Sequence, residues 1–123
     1  MGLSRAIPVI ATDQPDASRV FYEGVLGMRT AMEEDGFLML ASSSDPQIQI
    51  IVAWDSPSAW DPLALQLSLS VDVDTPEQLT EAHDACVAAG LDVIYPITDE
   101  PFGRRRFVVR EPSGAAVNVA CHI

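Results

Sequence analysis

"PFGRRRFVVREPSGAAVNVACH", Pro101–His122, reads as strand, turn, strand, and it closes a pattern that the chain writes twice. Working back from it, a helix closed by Gly90 and a strand before that helix complete one set. In the first half a strand at Ile7–Ala11 and a helix closed by "FYEGVLG" (Phe21–Gly27) lead into three further strands. Each half is therefore β-α-β-β-β. One such module covers only one face of its sheet, so two must pair to close a cavity. The expected fold class is α+β, two βαβββ modules forming curved mixed sheets around a cavity, in a homodimer that is module-swapped in one arrangement. Module one spans about 5–53, a connector 54–63, and module two about 64–121, all within one domain.

The helix limits come from their stops as well as their starts. Asp13 to Asp16 offers capping carboxylates ahead of the apolar spacing Ala17, Val20, Phe21, Val25, and Gly27 stands where a left-handed C-cap is wanted. In the second module Thr75, Pro76 and Gln78 supply an N-cap, a proline in the first helical position and a capping-box partner. Leu79, Ala82, Cys86 and Ala89 follow at helical spacing. His83 then falls at the edge of a packed face, and the two cysteines, Cys86 and Cys121, read as reduced, packed thiols. "WDSPSAWDP" (Trp54–Pro62) is a loop crossing between the halves.

Composition narrows the partners. Seven Lys+Arg against eighteen Asp+Glu give a formal net charge of −11, which repels phosphate backbones and argues against nucleic acid. A neutral or cationic small molecule is the favoured guest. No run approaches the roughly 18 apolar residues of a membrane span, and "MGLSRAIPVIATDQ" lacks the pattern of a signal peptide, so we expect no membrane partner and a cytoplasmic protein. Of the basic residues, Arg104, Arg105, Arg106 and Arg110 alternate faces along one strand and read as surface charge balancing nearby carboxylates.

Period-two alternation divides each strand into a helix face and a cavity face. Gln47 and Gln49 oppose Ile48, Ile50 and Val52; Gln66, Ser68 and Ser70 oppose Leu65, Leu67, Leu69 and Val71; Ala116, Asn118 and Ala120 oppose Val117, Val119 and Cys121. The expected lining is thus amide, hydroxyl and methyl, without fixed charge. Glu23, Glu33 and Asp72 are expected to be solvated. Trp54 and Trp60, with Phe37, Tyr95 and Phe102, offer rings for stacking, the tryptophans against either a flat ligand or a second subunit.

"FYEGVLGM" (Phe21–Met28) and "PFGRRRFVVREPSGAAVNV" (Pro101–Val119), with "VDVDTPEQL" and "AAGLDVIYP" between them, resemble the vicinal oxygen chelate superfamily, the glyoxalase / bleomycin resistance protein / dioxygenase group. The resemblance implies paired βαβββ modules, commonly in a dimer. It also implies that the enzymes of the group hold a divalent metal through His or Gln on the first strand of each module and Glu on the last. Carried onto this chain, those positions hold Ile7, Gln49, Gln66 and Asn118. One or two neutral amides do not hold a hard divalent ion against water. We therefore expect no metal, no cofactor and no catalytic residue, with Gln49, Gln66, Ser68, Ser70, Asn118, Trp54, Trp60 and Phe102 as the ligand-binding set. The expected function is metal-independent binding and sequestration of a small, planar aromatic or natural-product drug-like molecule, of the antibiotic-resistance or self-protection type. The alternatives are a lyase or dioxygenase-type enzyme of the same superfamily, or a dimeric accessory scaffold.

Overall fold

The computed structural model describes residues 2–123, which divide into two compact units: Ile7–Leu67, and the residues up to Ala6 together with Ser68–Ile123. The fold is α+β, and both units run strand, helix, strand, strand, strand.

In the first unit β1 (Arg5–Ala11), α1 (Pro15–Arg19), β2 (Arg29–Glu34), β3 (Phe37–Ala41) and β4 (Gln49–Ala53) appear in that order. Their sheet order is β2-β3-β4-β1. The β3 strand pairs antiparallel with both β2 and β4, whereas β1 runs parallel to β4 with Val9 opposite Ile51. Leu38, Leu40 and Val52 form the core, with Tyr22, Met28, Ile50 and Trp54 packed on it.

The first helix departs from its sequence reading. After five residues of α-helix it widens into a π-helical turn over Val20–Val25, marked by the amide of Leu26 donating to the Phe21 carbonyl at 3.1 Å. The extra residue per turn rotates the apolar stripe. Tyr22 faces the core, while Val20, Phe21 and Val25, expected inside, are 65%, 48% and 69% exposed. No side chain caps the start, so the capping role expected of Asp13–Asp16 does not hold; Thr12 Oγ1 instead accepts from the amide of Gln14. Gly27 does adopt the left-handed conformation, with φ 71.

The second unit contains β5 (Leu67–Asp72), α2 (Pro76–Ala88), β6 (Val93–Glu100), β7 (Arg104–Arg110) and β8 (Ala116–His122), in sheet order β5-β8-β7-β6. The threonine cap forms as the sequence indicates, Thr75 Oγ1 accepting from the Gln78 amide at 3.1 Å, while Gln78 Oε1 reaches one residue past the cap and accepts from the Asp74 amide at 2.9 Å. At the far end the amides of Gly90 and Leu91 donate to the Val87 and Cys86 carbonyls, the paired bonds of a Schellman stop, with Gly90 at φ 76. Leu79 of α2 inserts into a core of Val71, Val73, Phe107, Val109, Val119 and Cys121. His83 packs edge-on against Phe107, with ring centroids 5.2 Å apart. Both cysteines are free thiols, and burial pushes each above its ordinary pKa.

Two element boundaries differ from the sequence reading. The β4 strand begins at Gln49, leaving Gln47 in the preceding turn, and Ala64–Gln66 is a 3₁₀ turn, so Gln66 is an exposed turn residue and not a strand residue. The strand alternation that was to point Gln66 inward starts only at Leu67.

Candidate ligand-binding site

The face of the second unit's sheet turned away from α2 is where the chemistry collects. Alternation puts Ser68, Ser70 and Asp72 of β5, Ala116, Asn118 and Ala120 of β8, and Arg104 and Arg106 of β7 on that face. Ser70 and Asn118, both expected site residues, are brought together: Asn118 Nδ2 donates to Ser70 Oγ at 3.0 Å. The Asn118 oxygen is thereby turned toward Arg106, whose Nη1 donates to it at 3.3 Å.

Arg106 overturns its reading as surface charge, for it is only 3% exposed. Its guanidinium lies over the Tyr95 ring, 4.6 Å from the centroid, and its Nε stands 3.9 Å from Glu100 Oε2. The Tyr95 hydroxyl donates to Glu100 Oε1 at 2.7 Å. The register of β6 shifts on both sides of Tyr95, and such bulges re-aim a side chain, here setting the ring beside Arg106. A planar cation stacked on an aromatic face and hydrogen-bonded at its edge is well held.

Asp72 overturns its reading too. It is 7% exposed and clamped: Arg5 Nη2 reaches Oδ2 at 2.6 Å and Arg104 Nη2 reaches Oδ1 at 2.7 Å. Arg104 also lies 3.1 Å from His122 Nε2. Arg105, on the helix side of the same strand, bonds Asp99 at 2.5 Å and holds that carboxyl below its ordinary pKa, the surface pairing the sequence suggested. The lining on this face is therefore charged, with guanidinium and carboxylate groups, and not the uncharged amide and hydroxyl surface expected.

In the first unit the corresponding face is apolar. Ile7, Val9, Phe37, Met39 and Ile51 occupy it, and Gln49, whose Nε2 donates to the Pro46 carbonyl at 2.9 Å, is its amide. The two tryptophans fall on different sides. Trp60 meets Phe37 edge-on, with centroids 6.3 Å apart, whereas Trp54 packs on the helix side with Leu38 and Val52. Trp54 also walls a cleft of about 650 Å³ with Ala11, Thr12, Asp13, Pro15, Asp55 and Leu65. Sequence reasoning did not find this cleft, because its carboxylates and Thr12 come from strand ends that periodicity does not mark. Phe102 stands apart from both sites, 70% exposed in the β6–β7 turn at φ 71.

The sequence profile of the Glyoxalase/Bleomycin resistance protein/Dioxygenase superfamily matches residues 6–119. The chain belongs to that superfamily. A superfamily member from Vibrio splendidus 12B01 superposes with a TM-score of 0.64 at 16% identity, covering 98% of this chain and 99% of that one. A chain described as NAD-dependent benzaldehyde dehydrogenase from Legionella pneumophila gives 0.65 at 17%, covering 96% and 99%. Homoprotocatechuate 2,3-dioxygenase from Brevibacterium fuscum, in complex with 3,4-dihydroxyphenylacetate, gives 0.73 at 17%, covering 98% of this chain but 37% of the enzyme's. At these identities the likeness is one of fold. No curated protein matches the sequence.

The superfamily's metal can be tested against the residues that stand here. Ile7 is a buried core side chain and Gln66 an exposed turn residue. Asn118 already spends its oxygen on Arg106, and a guanidinium at that distance repels a divalent cation. Among the described residues no group of three His, Cys, Asp or Glu side chains could hold a metal ion. The residues at these positions do not fit the group. No helix among the described residues is long and apolar enough to cross a membrane.

Proposed function

We propose that this superfamily member binds a flat aromatic small molecule of the natural-product drug type and sequesters it unchanged, without a metal ion. The cleft beside Trp54 carries the reading. Its volume of about 650 Å³ is of the size that small-molecule sites take, one wall is an indole, and Asp13 and Asp55 bring carboxylates to its lining. An indole stacks on a planar ring, and the carboxylates favour a ligand bearing an amine. The net charge of −11 draws the same class of molecule.

Titration with planar aromatic antibiotics bearing an amine tests the proposal through tryptophan fluorescence. We expect quenching with micromolar or tighter affinity, on the order of −8 kcal/mol, in the presence of EDTA. Trp54→Ala should remove the response and Trp60→Ala leave most of it. Mass spectrometry should recover the ligand intact; a transformed product would favour the lyase or dioxygenase alternative.

A further inference from the structure

We infer that Gly36 is a positioning residue for the Trp54 cleft. Having no side chain, it lets the connector that follows β4 seat on the β2–β3 turn, and this seat fixes where the connector's share of the cleft wall stands. The inference rests on the ligand-binding reading above for its effect on affinity, while the placement of the connector needs no ligand.

Three observations carry it. The first is where the connector begins and ends. Trp54 and Asp55 at its start and Leu65 just past its end line the cleft, and the rest of the lining comes from the end of β1 and the start of α1. The frame on that side is fixed, because β1 pairs with β4 and the Thr12 amide extends the pairing by donating to the Ala53 carbonyl at 2.9 Å. A displaced connector therefore moves one wall of the cleft against another.

The second is the seat itself. Successive residues of the turn meet successive residues of the connector in register: Asp35 Oδ2 accepts from the Ser58 hydroxyl, Gly36 lies against Ala59, and Phe37 meets Trp60 edge-on. The Gly36 carbonyl also accepts from the Trp54 amide at 2.9 Å. Gly36 thus touches the connector both at its start and at its middle.

The third is the fit. A Cβ at Gly36 would stand 2.7 Å from the Ala59 Cβ and 3.5 Å from the Trp54 carbonyl oxygen, the first well inside the 3.4–4 Å of ordinary contact. One side must give way. Pro57 and Ser58 are exposed, whereas β3 is anchored by the buried Leu38 and Leu40, so it is the connector that lifts. A loop already held in its binding position loses less freedom when a ligand arrives, so lifting it lowers affinity without altering any lining residue.

Trp54 serves as the probe of its own position. The chain has two tryptophans, and Trp60→Phe, which keeps a ring beside Phe37, leaves Trp54 as the sole indole. In that background Gly36→Ala should shift Trp54 emission to longer wavelength, raise its quenching by acrylamide and weaken binding of the amine-bearing aromatic antibiotic about tenfold. Adding Ala59→Gly removes the colliding methyl and should restore all three. Gly114→Ala, at φ 94 with open space around the added Cβ, carries a comparable backbone strain and should change none of them. Should Gly36→Ala fail to fold, Ser58→Ala, which unties the seat without adding bulk, should raise acrylamide quenching, and an unchanged value would overturn the inference. Unchanged emission and quenching in Gly36→Ala, a change that Ala59→Gly does not relieve, or the same change from Gly114→Ala would overturn it as well. If the parent chain binds no antibiotic while the emission changes appear and are relieved, the ligand-binding reading falls and the positioning of the connector stands. If it binds antibiotic and Gly36→Ala leaves affinity and emission alone, the reading stands and the inference falls.

Discussion

Asn118, expected as a polar anchor of the site, has a place in the packing of the second unit as well. As an amide on the last strand it suggested a polar anchor at the floor of a hollow. In the structure it is 9% exposed and joins Ser70 to Arg106, so it bridges polar groups that would otherwise be buried without each other. Replacing it with leucine keeps the number of side-chain heavy atoms and removes both bonds, and a buried polar group deprived of its partner costs about 1–3 kcal/mol. We expect Asn118→Leu to lower stability by that amount in urea unfolding, with an unchanged dependence on denaturant. A variant as stable as the wild type would mean that the bridge contributes nothing to folding.

At the scale of elements, the two helices show when local signals suffice. The α2 helix has a threonine N-cap, a proline at the first position and a glycine stop, and the cap and the stop make the bonds their residue types imply, with Gln78 reaching back to the Asp74 amide. Thr75→Ala should cost about 1 kcal/mol and lower the melting temperature, whereas Thr75→Ser should restore most of it. Identical melting curves for the alanine and serine variants would remove the cap from the account. The α1 helix carries equally plausible signals, yet it widens to a π turn and exposes Val20, Phe21 and Val25. A 3.6-residue period was assumed where the backbone takes a wider one, and no composition rule distinguishes the two beforehand. Gly36 in the β2–β3 turn marks a tight spot that the sequence left unremarked: at φ 95, an added Cβ would come within 2.7 Å of the Ala59 Cβ.

For the whole molecule, we propose the homodimer that the superfamily resemblance implies. The exposed Val20, Phe21, Val25 and Leu26 of the first unit support it, since an apolar patch on a chain this acidic calls for a cover. Light scattering at micromolar concentration should give twice the chain mass of 13.3 kDa. Val25→Lys, placing a charge in the patch, should shift the population toward monomer without lowering secondary-structure content. A monomer at all concentrations would leave the patch without this explanation.

Much of the architecture was legible in the chain because hydrophobic period, caps and glycine stops are local and repeat from one module to the next. The βαβββ order, the second helix, the packed cysteines and His83 at the edge of a packed helical face all follow from residues within a few positions of one another. The motifs around Phe21–Met28 and Pro101–Val119 carried the superfamily. Tertiary structure decided the site. Alternation could place Arg104, Arg106 and Asp72 on one face of the sheet, but whether such side chains lie in water or are buried depends on partners far away in sequence. Asp72 is clamped by Arg5 and Arg104, Arg106 is stacked on Tyr95 and bonded to Asn118, and Trp54 and Trp60 fall on opposite faces of their unit. Burying a charge is favourable only when its partners arrive together, and that assembly is a property of the folded chain.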